Sequence, residues 1–212
     1  MRTCLSVAIL LLAPATGIAH RLDEYLQATI LSIGKDRLQA EMTLTPGVAV
    51  FPVVLAEIDA DADGVVSETE WRAYAGRVLR DLSLTVDGHS VIPRMVSARF
   101  PGIDEMKEGR GEIRIEFQAN LPRGRRSRSL VFENRHQSRL GAYLVNCLVP
   151  RDPDIRIVAQ TRNYSQSRYQ LDYVQAGAST WRPGDGAGLG LLALVLCTRL
   201  AFLWRRRPVT GT

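Results

Sequence analysis

Carboxylate side chains and a glycine recur at fixed spacing between Asp59 and Glu70. Asp59, Asp61 and Asp63 stand two residues apart, so a curling loop can aim three hard oxygen donors at one centre. Gly64 follows where such a loop must turn sharply, because glycine has no Cβ that would clash. Glu70, the twelfth residue of the segment, can add both oxygens of its carboxylate. Oxygen donors of this kind and number are the ligands that Ca²⁺ prefers.

The remaining loop positions fit the same chemistry. Val65 can offer its backbone carbonyl and Ser67 can hold a bridging water, so the predicted metal ligands are Asp59, Asp61, Asp63, Val65, Ser67 and Glu70. The segment matches the pattern D-x-[DN]-x-[DN]-G-x5-E and therefore resembles the EF-hand family. The resemblance covers about thirty residues and implies a helix-loop-helix unit that binds Ca²⁺. An acidic surface turn is the alternative interpretation.

The flanking sequence predicts a helix on each side of the loop. Ser67 and Glu70 form a capping box at the start of the second helix. Apolar residues then recur at helical spacing, namely Trp71, Tyr74, Ala75, Val78, Leu79 and Leu82. Before the loop, Val53 to Ile58 can form a short entering helix, with Pro52 tolerated in its first turn. The predicted unit spans residues 50–82.

The predicted calcium loop has no partner loop in the chain. The segment 104–109 is acidic and ends in glycine, but its spacing fits no calcium loop. We therefore expect Val66, the apolar eighth residue, to pack against the rest of the domain. Calcium modules outside the cytosol bind at about 10⁻⁴ to 10⁻³ M, near the calcium concentration there, so such a site would be mostly occupied. This favours a structural clip over a sensor that opens on binding.

Most of the chain alternates apolar and polar residues, as half-buried strands do. Residues 26–33 and 38–44 flank Gly34-Lys35-Asp36 and predict a hairpin. In 112–121, Ile113, Ile115 and Phe117 are expected to face inward. Further strands are predicted in 82–86, 91–100, 129–132, 143–148, 155–161 and 169–174. The fold prediction is mainly β: an antiparallel β-sandwich of about eight strands over 20–175, with the helical unit inserted after the second strand.

Both ends of the chain are apolar and predict export and membrane anchoring. Residues 1–19 read as a signal peptide, and 176–186 as a linker rich in Gly and small residues. The apolar stretch 187–204 precedes three arginines in the tail 205–212, which predicts a single-pass transmembrane anchor with a cytoplasmic tail. The main domain would then lie on the periplasmic or extracellular side. A buried C-terminal helix and a sorting tail clipped after export are alternatives.

Other chemistry has weaker support. Cleavage after residue 19 would make His20 the first residue, and an N-terminal histidine can chelate copper with help from His89 or His136. The basic run 123–128 can touch phosphates or anionic lipid heads, but it lacks interleaved aromatic residues and does not predict nucleic-acid binding. We find no catalytic motif and expect no enzyme. The leading expectation is a membrane-anchored calcium-binding domain with a scaffolding or partner-binding role. A copper-handling protein and an accessory subunit of a membrane complex are the alternatives.

Overall fold

The computed structural model describes residues 23–176, which form ten strands and three helices. In chain order these are β1 (Tyr25–Ile33), β2 (Arg37–Pro46), α1 (Phe51–Ile58), α2 (Glu68–Arg80), β3 (Leu82–Val86), β4 (His89–Ser90), β5 (Arg94–Arg99), α3 (Ile103–Lys107), β6 (Ile113–Asn120), β7 (Ser127–Asn134), β8 (Gly141–Cys147), β9 (Ile155–Arg162) and β10 (Arg168–Gln175). Helices α1 and α2 lie between the second and third strands, as predicted.

The strands form two five-stranded sheets. The first has the order β5-β6-β2-β1-β8 and the second the order β4-β3-β7-β10-β9. Every pairing is antiparallel except that of β1 with β8, which is parallel. The prediction of a mainly β protein with two mostly antiparallel sheets is therefore confirmed. The expectation of a wholly antiparallel arrangement is wrong at this pair, and ten strands replace about eight, the shortest being the two-residue β4.

The two sheets share one hydrophobic core, an arrangement consistent with the predicted sandwich. In β6, Ile113, Ile115, Phe117 and Ala119 are buried while Arg114 and Glu116 are exposed, as the alternation predicts. The second sheet contributes Leu84, Leu130, Phe132 and Leu171 to the same cluster. Burial of this apolar surface stabilises the fold by about 25 cal/mol for each Å² removed from water.

The helix pair packs onto this core through an apolar face. Tyr74, Ala75, Val78 and Leu79 are the buried residues of α2, and the helix packs against β5 and β3. Near its start, the Trp71 ring stacks on Phe100, with ring centroids 6.0 Å apart. The loop between α1 and α2 is thus held at the surface by two helices that belong to the core.

Several predictions concern residues beyond 23–176. The signal peptide 1–19, the residue His20, nearly all of the linker 176–186, the transmembrane anchor 187–204 and the tail 205–212 lie outside the described residues. Within the described part, no helix has both the length and the apolar character needed to cross a membrane.

Candidate metal centre

Three aspartate side chains converge in the loop between α1 and α2. Asp59, Asp61 and Asp63 each offer one carboxylate oxygen, and these oxygens all lie within 4.8 Å of one another. Two ligands on opposite sides of a Ca²⁺ ion are about 5 Å apart, because Ca–O distances are about 2.3–2.6 Å. The three oxygens can therefore surround one divalent cation. Asp59 is buried, with 7% exposure, while Asp61 and Asp63 reach solvent.

The loop backbone curls so that these carboxylates meet. Gly64 has φ of +80° and Ala62 has φ of +57°, so both lie in the left-handed region. The curl directs backbone amides at the carboxylates: the Asp63 N–H donates to Asp59 Oδ1 at 3.2 Å and the Gly64 N–H to Asp59 Oδ2 at 3.0 Å. The Val65 N–H donates to Asp63 Oδ1 at 2.7 Å. These bonds orient the carboxylates before any ion binds.

Glu70 lies beside the three-aspartate cluster but is not part of it. Its Oε1 accepts a hydrogen bond from the Ala60 N–H at 2.7 Å, and its Oε2 accepts from the Ser67 N–H at 2.9 Å and from Ser67 Oγ at 2.8 Å. The Glu70 N–H donates to Ser67 Oγ, which completes the predicted capping box. Glu70 therefore joins the beginning and the end of the loop, and its role as a ligand stays a prediction.

The other predicted loop residues are placed as follows. Ser67 is the N-cap of α2, and its hydroxyl is engaged with Glu70. The Val65 side chain is 63% exposed, as suits a residue predicted to bind only through its carbonyl. Val66 is half-buried and packs against the hydrophobic core, so the expectation that it packs inward is confirmed.

The local field makes two of these carboxylates titrate differently from free ones. At Asp61 the Asp63 N–H lowers the pKa, but desolvation and repulsion from Asp63 and Glu70 outweigh it and leave the pKa raised. Hydrogen bonds from Ser67 hold the pKa of Glu70 below its ordinary value. A cation bound among the aspartates would remove the repulsion at Asp61, so protons and the cation compete there.

Helix α2 is tied to the sheets by a buried polar chain. Tyr74 Oη lies 2.7 Å from Tyr25 Oη on β1 and 3.1 Å from Nε2 of His136, which follows β7. The His136 Nδ1 lies 2.8 Å from the Asp81 carboxylate, just beyond α2. With a proton on Nδ1 directed at Asp81, Nε2 accepts from Tyr74 and Tyr74 accepts from Tyr25. Burial raises the pKa of both tyrosines, so both stay protonated and can donate.

Hydrogen bonds also fix the backbone of His136. Gln27 Nε2 and Tyr143 Oη both donate to the His136 carbonyl, at 2.9 and 2.8 Å. Asn134 accepts from the His136 N–H through Oδ1 and donates to Gln27 through Nδ2. Residues of both sheets thus fix the segment that contacts α2. Sequence reasoning missed this cluster, because no periodicity connects residues so far apart in the chain.

The histidines proposed as copper partners differ in environment. His136 is only 2% exposed, and both of its ring nitrogens are within hydrogen-bond distance of the protein groups just described. His89 is exposed in β4. His20, on which the copper alternative depends, lies outside the described residues.

No protein-family model matches this chain, and no curated protein matches it either.

Proposed function

We propose that this protein is a calcium-binding domain whose site is the loop from Asp59 to Glu70, with Asp59, Asp61, Asp63, Val65, Ser67 and Glu70 as ligands. The convergence of three aspartate oxygens within 4.8 Å of one another carries the proposal. The left-handed backbone at Gly64 and the helices on both sides support it, since they place these oxygens around one point.

The donor set favours calcium among the common metals. The clustered ligand atoms are all carboxylate oxygens, which suit hard cations, whereas Zn²⁺ and copper favour imidazole and thiolate ligands. Mg²⁺ demands near-ideal octahedral geometry and keeps several waters, so an irregular loop rich in carboxylates suits Ca²⁺ better.

We propose that calcium acts as a structural clip in this domain. Swinging α2 away from the sheets, as a sensor does, would separate Tyr74 from Tyr25 and His136. Each buried polar group left without a partner costs about 1–3 kcal/mol. The packing of Val66 against the core also argues against an open state. Calcium binding would therefore order the loop without moving the two helices, which are already packed on the core.

The terminal sequences extend this proposal to a cellular setting. A signal peptide and an apolar segment before an arginine cluster support export and anchoring by a single helix, with the calcium domain outside the cytoplasm. In that place the domain would act as a scaffold or bind a protein partner, for example as an accessory subunit of a membrane complex.

Calorimetry on the full-length protein in neutral detergent tests the calcium site. We expect one calcium per chain, and an affinity about tenfold or more weaker in Asp61→Asn and in Glu70→Gln, because each loses a negative charge at the site. Glu68→Gln is the matched control: Glu68 is exposed in the same segment but is not a proposed ligand, and it pairs with Arg72 instead. Its affinity should stay within about twofold of the parent, since exposed charges interact weakly. Equal affinities in all four proteins would contradict the assignment.

A further inference from the structure

A cleft away from the calcium loop lies between the turn that joins β3 to β4 in the second sheet and the loop that joins β6 to β7. Its volume is about 520 Å³, within the range of small-ligand sites. Arg123, Gly124 and Arg125 line it from the loop, and Asp87 and His89 line it from the turn. We call it the arginine cleft.

A buried guanidinium lies directly beneath the arginine cleft. The Arg128 side chain is 1% exposed, and its Nε donates to Asp87 Oδ2 at 2.9 Å. Its Nη2 is buried and has no hydrogen-bond partner among residues 23–176. A Cβ placed on Gly124 would lie 2.7 Å from Arg128 Cζ, so the loop backbone rests on this guanidinium. The positive charge is therefore held close to the cleft by the fold itself.

The charges of the arginine cleft do not cancel. Asp87 is the single carboxylate among the described residues that line it, and both of its oxygens are engaged: Oδ2 by Arg128 and Oδ1 by the Ser129 N–H at 2.9 Å. Arg123 and Arg125 are exposed and make no ion pair with any residue of the described part. Two positive charges thus remain uncompensated in a concave site, where the field is focused.

We propose that the arginine cleft binds a phosphate group, either inorganic phosphate or the phosphate of a lipid headgroup. A guanidinium presents a planar fork of N–H donors that matches the oxygens of phosphate. Two such forks flank the cleft and can neutralise a doubly negative ligand. Among the residues that line it there is no Phe, Tyr or Trp on which a base could stack, so single-stranded nucleic acid is a poor fit. This site is separate from the calcium loop and independent of it.

Titration of inorganic phosphate into the full-length protein in neutral detergent tests the proposal, with a chelator present so that calcium phosphate cannot contribute. Arg123→Gln and Arg125→Gln should each weaken binding about tenfold, because each removes a charge-assisted hydrogen-bond donor. Arg126→Gln is the matched control, since Arg126 is exposed in the same run but does not line the cleft. Its binding should change by less than about twofold.

A parallel titration identifies the source of the phosphate. Short-chain phosphatidylglycerol is the probe, with short-chain phosphatidylcholine as the lipid without net charge. Two results support the arginine cleft: binding of free phosphate, or binding of phosphatidylglycerol without binding of free phosphate. In either case, Arg123→Gln and Arg125→Gln must weaken binding more than Arg126→Gln does. Equal losses in all three variants would show diffuse charge attraction and overturn the proposal. Absence of binding to both anionic probes would overturn it as well.

Discussion

At the scale of single residues, the candidate metal centre depends on backbone conformation as much as on charge. Gly64 and Ala62 adopt the left-handed region, and only glycine does so without steric cost. Their curl lets the Asp63 and Gly64 amides reach the buried carboxylate of Asp59. The backbone conformation of a residue that is not a proposed ligand can therefore decide whether the carboxylate oxygens meet.

Two glycine substitutions should change stability in opposite directions. Gly64→Ala should lower the free energy of unfolding by about 1 kcal/mol, because φ of +80° is strained for alanine although nothing lies within 4 Å of its Cβ. Gly76→Ala should raise it by up to about 1 kcal/mol, because Gly76 is inside α2 and its Cβ would meet only Arg80 Nη1 at 3.5 Å. Urea unfolding in the presence of chelator measures both. A change of the same sign in the two variants would contradict this account.

At the scale of elements, α1, the loop and α2 behave as one unit inserted into a β protein. Ser67, the N-cap of α2, is the last residue of the connection between the two helices, so a ligand that orders the loop would add stability to the start of this helix. The helix in turn carries Tyr74, which reaches β1 and the segment after β7. We therefore expect order in the loop to stabilise the contacts of α2 with both sheets.

Calcium should therefore raise the melting temperature without opening the helix pair. Binding to the folded state alone stabilises by RT ln(1 + [L]/Kd), about 1.4 kcal/mol at tenfold excess over Kd, or a few degrees for a domain of this size. Binding of a hydrophobic dye should stay constant, because Trp71 and Tyr74 remain packed on Phe100. Melting and dye binding are compared with calcium and with chelator. An unchanged melting temperature with calcium-dependent dye binding would indicate a sensor.

Local sequence patterns predicted most of the helices and strands, but not which elements distant in the chain pack against each other. The capping box at Ser67 and the alternation in 113–119 depend on neighbours in the chain, and the structure confirms both. The parallel pairing of β1 with β8 and the burial of His136 depend on residues far apart. A histidine that follows a strand is expected at the surface. His136 is buried because tyrosines and Asp81, which are distant in the chain, pack around it. The aspartate cluster was predictable because one loop supplies it.

At the scale of the whole molecule, the predicted orientation in the membrane can be tested directly. A reporter enzyme active only in the cytoplasm should work when fused after Thr212 and fail when fused after Ala176. The physical reason is that the arginine cluster at 205–207 would stay on the cytoplasmic side while the predicted signal peptide would start export. The opposite pattern of reporter activity would contradict the proposed topology.

The parallel pairing of β1 with β8 also bears on how the chain folds. Tyr25 pairs with Gly141, so the first sheet is complete only after β8, far along the chain, has been synthesised. Long-range closure of this kind raises the contact order and slows folding, because the entropy of a large loop is lost before the contacts form. Behind the predicted signal peptide, a polypeptide that folds late would stay unfolded for longer, and a translocation pore that admits only unfolded chains would have more time to take it.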